Sequence, residues 1–243
     1  MFKGKKVIIF DLDGTLIDSV GVWNDVDRAV IEKYCKKPLE DDIDIGKQRD
    51  TWLAKYFYTE DTYKGYCTEL KNKYLSDYSV EEIKEARDRT SKEFVETKVD
   101  YKDGAVELLK LLKEKGFVLT IGSTTNDFTI EIYKTKNKNI MSKAPLDDYF
   151  DLILSKGSVK KFKPDPEVFL KILDKTNCKK ENALIIEDSL IGVEAAKNAG
   201  VEVVAMYDKY SDSVRDEINS MADYKVDNFY ELIDILNKEL GRD

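Results

Sequence analysis

The chain has 243 residues, of which 42% are hydrophobic and 36% are charged, and it carries a formal net charge of −8. These values predict a globular protein large enough for one big domain or for a core with a smaller insert. The negative charge argues against a broad binding surface for nucleic acid or for an anionic membrane. The chain contains no histidine, which excludes Ser-His-Asp and Cys-His hydrolysis, histidine-ligated zinc and phosphohistidine chemistry. An enzyme made from this chain must therefore work with carboxylates, hydroxyls and lysines.

The amino-terminal segment and the cysteines bear on location. The apolar run before Asp11, Val7–Phe10, is only four residues long, which is too short for a signal-peptide core or a membrane span. Cys35, Cys67 and Cys178 are odd in number and far apart, so they form neither a metal-binding motif nor a disulfide framework. We therefore expect reduced thiols in a cytoplasmic protein, with no membrane partner and with a monomer as the default assembly.

The segment Val7–Phe10 is rich in β-branched side chains and predicts a short strand that is buried on both faces of a parallel sheet. Asp11 and Asp13 follow it directly, and on an extended backbone their side chains project to the same side. Gly14 lets the chain turn away from that point. The pair is interpreted either as a Mg²⁺-assisted nucleophile with an acid/base partner, or as a strand that ends in an Asp-Gly turn.

A long helical region is predicted after the first strand. Apolar residues recur every four positions in Val22–Tyr34, a second stripe lies in Trp52–Phe57, and Ser79–Glu82 forms a capping box. About eighty residues are too many for a single crossover between strands, so we expect an inserted domain. The predicted domains are an inserted all-helical domain at 18–97 and an α/β core formed by 1–17 and 98–243.

Helices and strands alternate in the remaining sequence, which predicts an α/β fold with a Rossmann-like parallel sheet and helices on both faces. The Lys- and Asn-rich segment Lys134–Asn139 is expected to be a solvated turn between helices. Asp165 is expected as the N-cap of a helix, with Pro166 at its first position. The other predicted strands are Val118–Gly122, Asp151–Leu154, Ala183–Ile186 and Val201–Met206, and the other predicted helices are Ala105–Lys115, Leu190–Ala199 and Phe229–Leu240.

Polar residues follow several of these strands. Asp11 follows the first strand, Ser123 the second, and Glu187 with Asp188 a later one. Because the carboxyl ends of parallel strands lie along one edge of the sheet, we expect these side chains to meet there. Lys163 precedes a proline, which biases it away from helix and frees its ammonium to reach that edge. A hard divalent cation prefers oxygen ligands, and a phosphate prefers N–H, hydroxyl and lysine donors, so the set suits phosphoryl transfer.

Each of these residues also has a purely structural interpretation. Ser123 could cap a helix, and Thr124 or Thr125 could take its hydroxyl role, because the register after a strand is uncertain by one residue. Lys163 could be one more surface lysine, and Glu187–Asp188 could be an acidic helix start.

Taken in order, Asp11–Thr15, Ser123, Lys163–Pro164 and Glu187–Asp188 resemble the four motifs of the haloacid dehalogenase-like (HAD) superfamily. The helical insert between the first two motifs resembles that superfamily's first type of cap. The resemblance covers essentially the whole predicted core, and the subfamily to which the chain is similar contains phosphatases and β-phosphoglucomutase-like enzymes.

The resemblance implies a role for each matching residue. Asp11 would attack phosphorus and become an aspartyl phosphate, and Asp13 would act as general acid and then as general base. Ser123 and the Thr124 N–H would hold a phosphoryl oxygen, and Lys163 would neutralise charge between Asp11 and the phosphate. The implied Mg²⁺ ligands are Asp11, the backbone carbonyl of Asp13, Asp188 and, directly or through water, Glu187. The implied substrate-binding residues are Gly14, Thr15, Ser123, Thr124, Asn126, Lys163 and Arg49.

Three functions stay open within this resemblance. Dehalogenase-like and phosphonatase-like members lack an acid at the place of Asp13, so we expect a Mg²⁺-dependent phosphatase that acts on a small phosphorylated metabolite. A β-phosphoglucomutase-like sugar phosphomutase is the alternative. Gly46–Arg49 is similar to a substrate-contacting segment of that group, but the histidine that the group carries after its first motif is absent, and Trp23 or a neighbour stands there. A catalytically silent fold that binds a partner is the third possibility, and the presence of Asp11, Asp13 and Asp188 argues against it.

Further cations lie in the predicted cap. We expect most of them to occupy a solvated helix face rather than to contact substrate. They are Lys71, Arg87, Arg89 and Lys92.

Overall fold

The computed structural model describes residues 1–35, 39, 43–56, 59 and 61–241. Phe57, the last member of a predicted apolar stripe, lies outside the described residues. The chain divides into two compact units, an α/β unit of Met1–Asp18 with Val99–Asp243 and a helical unit of Ser19–Lys98.

One parallel sheet forms the centre of the α/β unit. Its six strands in the described residues are β1 (Val7–Phe10), β2 (Val118–Gly122), β3 (Leu152–Leu154), β4 (Ala183–Glu187), β5 (Glu202–Met206) and β6 (Tyr224–Val226). Their spatial order is β3-β2-β1-β4-β5-β6, and each neighbouring pair runs parallel. This is a doubly wound order, in which the carboxyl ends of β2, β1 and β4 lie side by side where the order reverses. The predicted Rossmann-like α/β fold is confirmed.

Strand β1 is buried on both faces, as its unbroken apolar sequence predicts. Val7 and Ile9 pack in one cluster with Phe169. Because successive side chains of a strand alternate, Ile8 and Phe10 face the other side of the sheet, and both are fully buried. Burial on two faces holds β1 at the centre of the sheet and fixes the position of the residue that follows it.

The helices agree closely with the sequence pattern. The predicted helices at 105–115, 190–199 and 229–240 are present with ends that differ by at most one residue. None of the helices in the described ranges combines the length and the apolar character needed to cross a bilayer. In chain order they are α1 (Val20–Tyr34), α2 (Ile45–Tyr56), α3 (Thr62–Lys73), α4 (Val80–Thr97), α5 (Ala105–Glu114), α6 (Asp127–Thr135), α7 (Lys138–Lys143), α8 (Leu146–Tyr149), α9 (Glu167–Lys175), α10 (Leu190–Ala199), α11 (Arg215–Met221) and α12 (Phe229–Leu240).

The expected solvated turn at Lys134–Asn139 is wrong at its centre. Asn137 is fully buried between α6 and α7. Its Oδ1 accepts the N–H of Ile140 at 2.9 Å, and its Nδ2 donates to the carbonyl of Val99 at 2.9 Å. Asn137 thus caps α7 and binds a distant backbone carbonyl. Composition cannot distinguish such a buried asparagine from a solvated one, because both are equally polar.

Helix α9 begins one residue later than predicted. Glu167 is its first residue, and Pro166 stands at the N-cap. Oδ1 of Asp165 still accepts the N–H of Glu167 at 3.0 Å, so the aspartate satisfies a helix donor from one position further back. The predicted elements also omit β6 and α11, which are short and carry little periodicity.

The helical unit contains a buried ion pair. Its capping box, Ser79 with Glu82, is present at the start of α4. Arg87 departs from the solvated face expected for most cations of this region, since it is 5% exposed. Its Nε lies 2.6 Å from Oδ1 of the fully buried Asp27, and the hydroxyl of Tyr66 donates to Oδ2 of Asp27 at 2.6 Å. The sequence pattern missed this pair because apolar periodicity ignores charged residues that find a buried partner.

Candidate active site

Three loops at the carboxyl edge of the sheet carry the predicted polar residues. Asp11 follows β1, and its N–H donates to the carbonyl of Ile186 at 2.9 Å. Ser123 follows β2, and its N–H donates to the carbonyl of Leu154 at 2.9 Å. Asp188 comes directly after β4. Strand pairing thus fixes the backbone from which each of these side chains extends.

Lys163 lies between two carboxylates. Its Nζ is 2.6 Å from Oδ1 of Asp11 and 2.7 Å from Oε1 of Glu187. The Lys163 side chain is only 2% exposed, and its ammonium lies 5.1 Å from the centre of the Phe169 ring. The peptide bond between Lys163 and Pro164 is cis. Burial and pairing exclude the interpretation of this residue as an ordinary surface lysine.

Both oxygens of Glu187 have protein donors. Oε1 accepts from Lys163, while Oε2 accepts the N–H of Asp188 at 2.8 Å, the N–H of Ser189 at 2.9 Å and the Ser189 hydroxyl at 3.0 Å. A Cβ atom at Gly192 would overlap this carboxylate, so the glycine is what leaves room for it. Glu187 therefore holds the ammonium of Lys163, and its implied contact with a metal ion, direct or through water, stays a prediction.

Asp188 is oriented by a buried hydroxyl. The Oγ1 atom of Thr15 donates to Oδ1 of Asp188 at 2.5 Å, and Thr15 is fully buried. Thr15 therefore orients a carboxylate, and its implied contact with substrate stays a prediction. A second ion pair joins Lys102 to the buried Asp208 at 2.5 Å, and the positive charge of Lys102 lowers the pKa of Asp188 against larger opposing effects.

Negative charge is in excess at this edge of the sheet, because the buried carboxylates of Asp11, Glu187 and Asp188 outnumber the buried ammonium of Lys163. Burial raises the pKa of Asp11 to about 7, and the nearby Glu187 adds to the increase while Lys163 opposes it. Burial also raises the pKa of Asp188, with further contributions from Glu187 and Asp11. Burial alone lowers the pKa of Lys163, but its two carboxylate partners raise it and their effect prevails. A proton or a cation relieves such an excess of charge.

The donor set fits a magnesium ion that has few protein ligands. Within the described ranges, no three or more His, Cys, Asp or Glu side chains are grouped so as to hold a metal ion. Oδ2 of Asp11 and Oδ2 of Asp188 accept no hydrogen bond from the described residues. Mg²⁺ retains several waters and takes one or two carboxylates together with substrate phosphate oxygens. Two carboxylates with free oxygens and unbalanced charge are therefore sufficient for it.

Asp13 is held by two hydroxyls that the sequence analysis did not assign to it. Oδ2 accepts from Oγ1 of Thr125, and Oδ1 accepts from the Tyr133 hydroxyl at 3.0 Å. Oγ1 of Thr125 also lies 2.8 Å from Oγ of Ser123, which accepts the Thr125 N–H at 3.1 Å. Thr125 thus links Asp13 to Ser123. The position of Thr125 in a polar loop after a strand was a sequence signal for its role. Tyr133 gave no such signal, because its partner is 120 residues away in sequence.

The other predicted binding residues take separate places. Gly14 has a φ of +88°, as the turn after Asp13 requires. Thr124 is exposed beside Ser123. Asn126 caps α6 through its side chain, so Ser123 is not the cap of that helix. Arg49 is half-buried in α2 of the helical unit.

Comparison with known proteins gives concordant results. Residues 8–206 match the family described as haloacid dehalogenase-like hydrolase. The chain is 28% identical over 197 residues to a phosphorylated carbohydrates phosphatase from Thermotoga maritima, covering 81% of this chain and 82% of that protein. It is 32% identical over 200 residues to a phosphoglycolate phosphatase from Aquifex aeolicus, again covering 81% and 82%. The crystal structure of a candidate beta-phosphoglucomutase from Thermotoga maritima superposes with a TM-score of 0.74 at 26% identity, covering 97% of this chain and 99% of that one. The chain belongs to the haloacid dehalogenase-like hydrolase family.

Proposed function

We propose that this protein is a Mg²⁺-dependent phosphatase that hydrolyses a small phosphate monoester through an aspartyl phosphate on Asp11. The observation that carries the proposal is the buried ammonium of Lys163, held 2.6 Å from Asp11, with a second acid, Asp13, two residues further along the chain. A nucleophilic carboxylate needs a cation between itself and a phosphate, and it needs a separate acid for the leaving oxygen. The similarity to two curated phosphatases supports the same activity.

In the first step, a carboxylate oxygen of Asp11 attacks phosphorus, and the bond from phosphorus to the ester oxygen breaks. Asp13 donates its proton to that oxygen, so the alcohol leaves uncharged. Ser123 and the N–H of Thr124 hold a phosphoryl oxygen, and Lys163 neutralises charge as Asp11 approaches the phosphate.

In the second step, Asp13, now ionised, accepts a proton from water. The resulting hydroxide attacks phosphorus, the bond to the Asp11 oxygen breaks, and inorganic phosphate leaves. Asp11 and Asp13 return to their starting protonation states, which closes the cycle.

Asp11, Asp188 and the backbone carbonyl of Asp13 are the proposed Mg²⁺ ligands. When bound, the ion supplies positive charge that offsets the repulsion between a carboxylate and a phosphate dianion. Glu187 contributes through Lys163, whose ammonium it holds at 2.7 Å. Thr15 contributes through Asp188, whose carboxylate it orients.

We also propose that residues 18–97 form the cap domain that selects the substrate, with Arg49 as a candidate contact. The family resemblance supports this assignment, since its substrate specificity lies in the cap. Free thiols at Cys35, Cys67 and Cys178 and the net charge of −8 support a cytoplasmic enzyme for small metabolites rather than a nucleic-acid partner.

A phosphate-release assay over a panel of sugar phosphates, nucleotides and small phosphate esters tests the proposal. Wild type and the distant control Asp174→Asn are expected to release phosphate with Mg²⁺ and to stop when the metal is chelated. Asp11→Asn is expected to lose at least ~10⁴-fold of kcat, since a missing nucleophile has no substitute.

Other outcomes contradict the proposal in distinct ways. Conversion of β-glucose 1-phosphate to glucose 6-phosphate without free phosphate identifies the mutase alternative. No release from any ester, with a folded protein, identifies a binding protein. Full activity of Asp11→Asn shows that Asp11 is not the nucleophile.

A further inference from the structure

The carboxylate of Asp13 is fixed from two sides within the α/β unit. Tyr133 donates its hydroxyl to Oδ1 at 3.0 Å, and Thr125 donates to Oδ2. The Thr125 hydroxyl is in turn 2.8 Å from the Ser123 hydroxyl. The plane of the Asp13 carboxylate is therefore set by two donors in different elements, one in helix α6 and one in the loop before it.

Helix α6 is itself firmly placed, so Tyr133 is a rigid donor. Asn126 caps the helix by accepting the N–H of Thr129 at 2.8 Å. Asp127, its first residue, accepts from the hydroxyl of Ser155 and from the N–H of Gly157, which lie in the loop after β3. Tyr133 is fully buried. A buried phenol on an anchored helix holds its oxygen in one place.

We propose that Tyr133 is a positioning residue for Asp13, and that it aims the carboxyl group at the leaving oxygen of the substrate. This inference rests on the proposed phosphatase function. Proton transfer to a leaving group is effective only when the acid is oriented towards the accepting oxygen. The Tyr133 and Thr125 hydroxyls supply this orientation, one on each oxygen of the Asp13 side chain.

The leaving group provides a direct test of this role. A p-nitrophenolate departs with little help from an acid, whereas the alkoxide of ethyl phosphate needs a proton as it departs. Both esters pass through the same aspartyl phosphate, so kcat/KM isolates the first step from the common second step. A residue that positions the acid must therefore affect kcat/KM for the alkyl ester more than for the aryl ester.

We expect Tyr133→Phe to lower kcat/KM for ethyl phosphate by about tenfold, the effect of one hydrogen bond to a group that becomes charged as its proton leaves, and for p-nitrophenyl phosphate by less than about twofold. Tyr101→Phe is the matched control, because Tyr101 is also buried in the α/β unit and donates to a backbone carbonyl, that of Ala144. That variant is expected to leave the ratio between the two esters unchanged. Thr125→Val is expected to share the selectivity of Tyr133→Phe, and Thr125→Ser to restore the wild-type ratio.

Thermal melting establishes that each variant is folded before its kinetics are compared. An unchanged ester ratio in Tyr133→Phe overturns the positioning role of Tyr133, whatever Thr125→Val does, and leaves the phosphatase function intact. An equal loss on both esters assigns Tyr133 to general stability and also overturns the proposal. Absence of Mg²⁺-dependent hydrolysis of either ester by wild type contradicts the proposed function itself.

Discussion

The ammonium of Lys163 lies 2.6 Å from the carboxylate of Asp11, although 152 positions of sequence separate the two residues. Lys163 lies in the segment between β3 and α9, whereas Asp11 directly follows β1, so only the assembled sheet brings the two residues together. The same ammonium also donates a hydrogen bond to Glu187, so Lys163 joins two neighbouring carboxylates. The fold concentrates opposite charges at one edge of the sheet and leaves a net negative site.

Replacing Thr15 by valine is expected to weaken Mg²⁺ binding. The substitution keeps the shape of the side chain but removes the hydroxyl that donates to Asp188 at 2.5 Å. Loss of a partner that orients a metal ligand costs about tenfold to a hundredfold in metal affinity. The Mg²⁺ concentration that gives half-maximal activity measures the effect.

Thr120→Val is the control for Thr15→Val, because its equally buried hydroxyl donates to the carbonyl of Ile8 rather than to a carboxylate of the site. Thr15→Ser retains a hydroxyl and is expected to stay close to wild type. Equal metal affinities for Thr15→Val and Thr120→Val would show that Asp188 needs no such partner.

Gly192→Ala is expected to destabilise the protein and to reduce its activity. The added Cβ would overlap the carboxylate of Glu187, and overpacking of this kind costs about 1–3 kcal/mol. Because Glu187 anchors Lys163, its displacement also frees the ammonium that faces Asp11. Thermal melting and phosphate release measure the two effects separately.

Glu194→Ala, in the same helix α10, is the control and is expected to change neither quantity. In a Glu187→Ala background the overlap disappears, so the Gly192→Ala substitution is expected to cost little further stability while activity stays low. A Gly192→Ala enzyme with wild-type activity would show that the position of Glu187 is unimportant.

Arg87→Met is expected to lower the free energy of unfolding of the helical unit. The guanidinium is the partner of the fully buried Asp27, at 2.6 Å, and removing one member of a buried pair typically costs about 3–5 kcal/mol. Adding Asp27→Asn removes the stranded charge and keeps an acceptor for the Tyr66 hydroxyl, so most of the loss is expected to be recovered. Urea unfolding followed by circular dichroism measures both variants.

Arg89→Met provides the reference for Arg87→Met, since Arg89 is exposed on the same helix and such substitutions change stability by less than about 0.5 kcal/mol. A double variant that is no more stable than Arg87→Met alone would contradict the assignment of the loss to an unpaired charge.

The contribution of Glu167 to stability is expected to depend on pH. Hydrogen bonds from Lys171 and from the N–H groups of Lys160 and Lys161 lower the pKa of Glu167 from 4.5 to about 2. Since the pKa is lower in the folded state than in the unfolded state, the stabilisation is complete above pH 4.5 and is lost as the pH falls through about 2.

The test compares the free energy of unfolding of wild type with that of Glu167→Gln between these pH values. We expect the difference between the two to shrink as the pH falls. Lys171→Met removes the largest cause of the shift, so carboxyl chemical shifts in that variant are expected to report a higher pKa. A difference that grows on acidification has the wrong sign for this mechanism.

The sequence predicts the helices and strands of the molecule better than the contacts between their side chains. Runs of buried β-branched residues such as Val7–Phe10, and glycines such as Gly200 after α10, are local signals, so the strands and helices they mark are present. The ends of these strands indicate where Asp11 and Asp188 lie, because topology alone places them on one edge.

Contacts between side chains of distant elements could not be predicted in this way. Tyr133 and Thr15 look like ordinary helix and loop residues until the fold brings each to a carboxylate. Glu187 follows the metal-binding pattern in sequence, yet the backbone donors of the next turn occupy one of its oxygens. Asn137 is polar in a polar segment, and only its buried partners distinguish it from a solvated residue.

The hydrogen bonds that orient Asp13 and Asp188 come from Tyr133, Thr125 and Thr15, all of which belong to the α/β unit. The orientation of both carboxylates therefore depends on residues of the α/β unit. A substitution in α1–α4 therefore leaves all three of these donors in place.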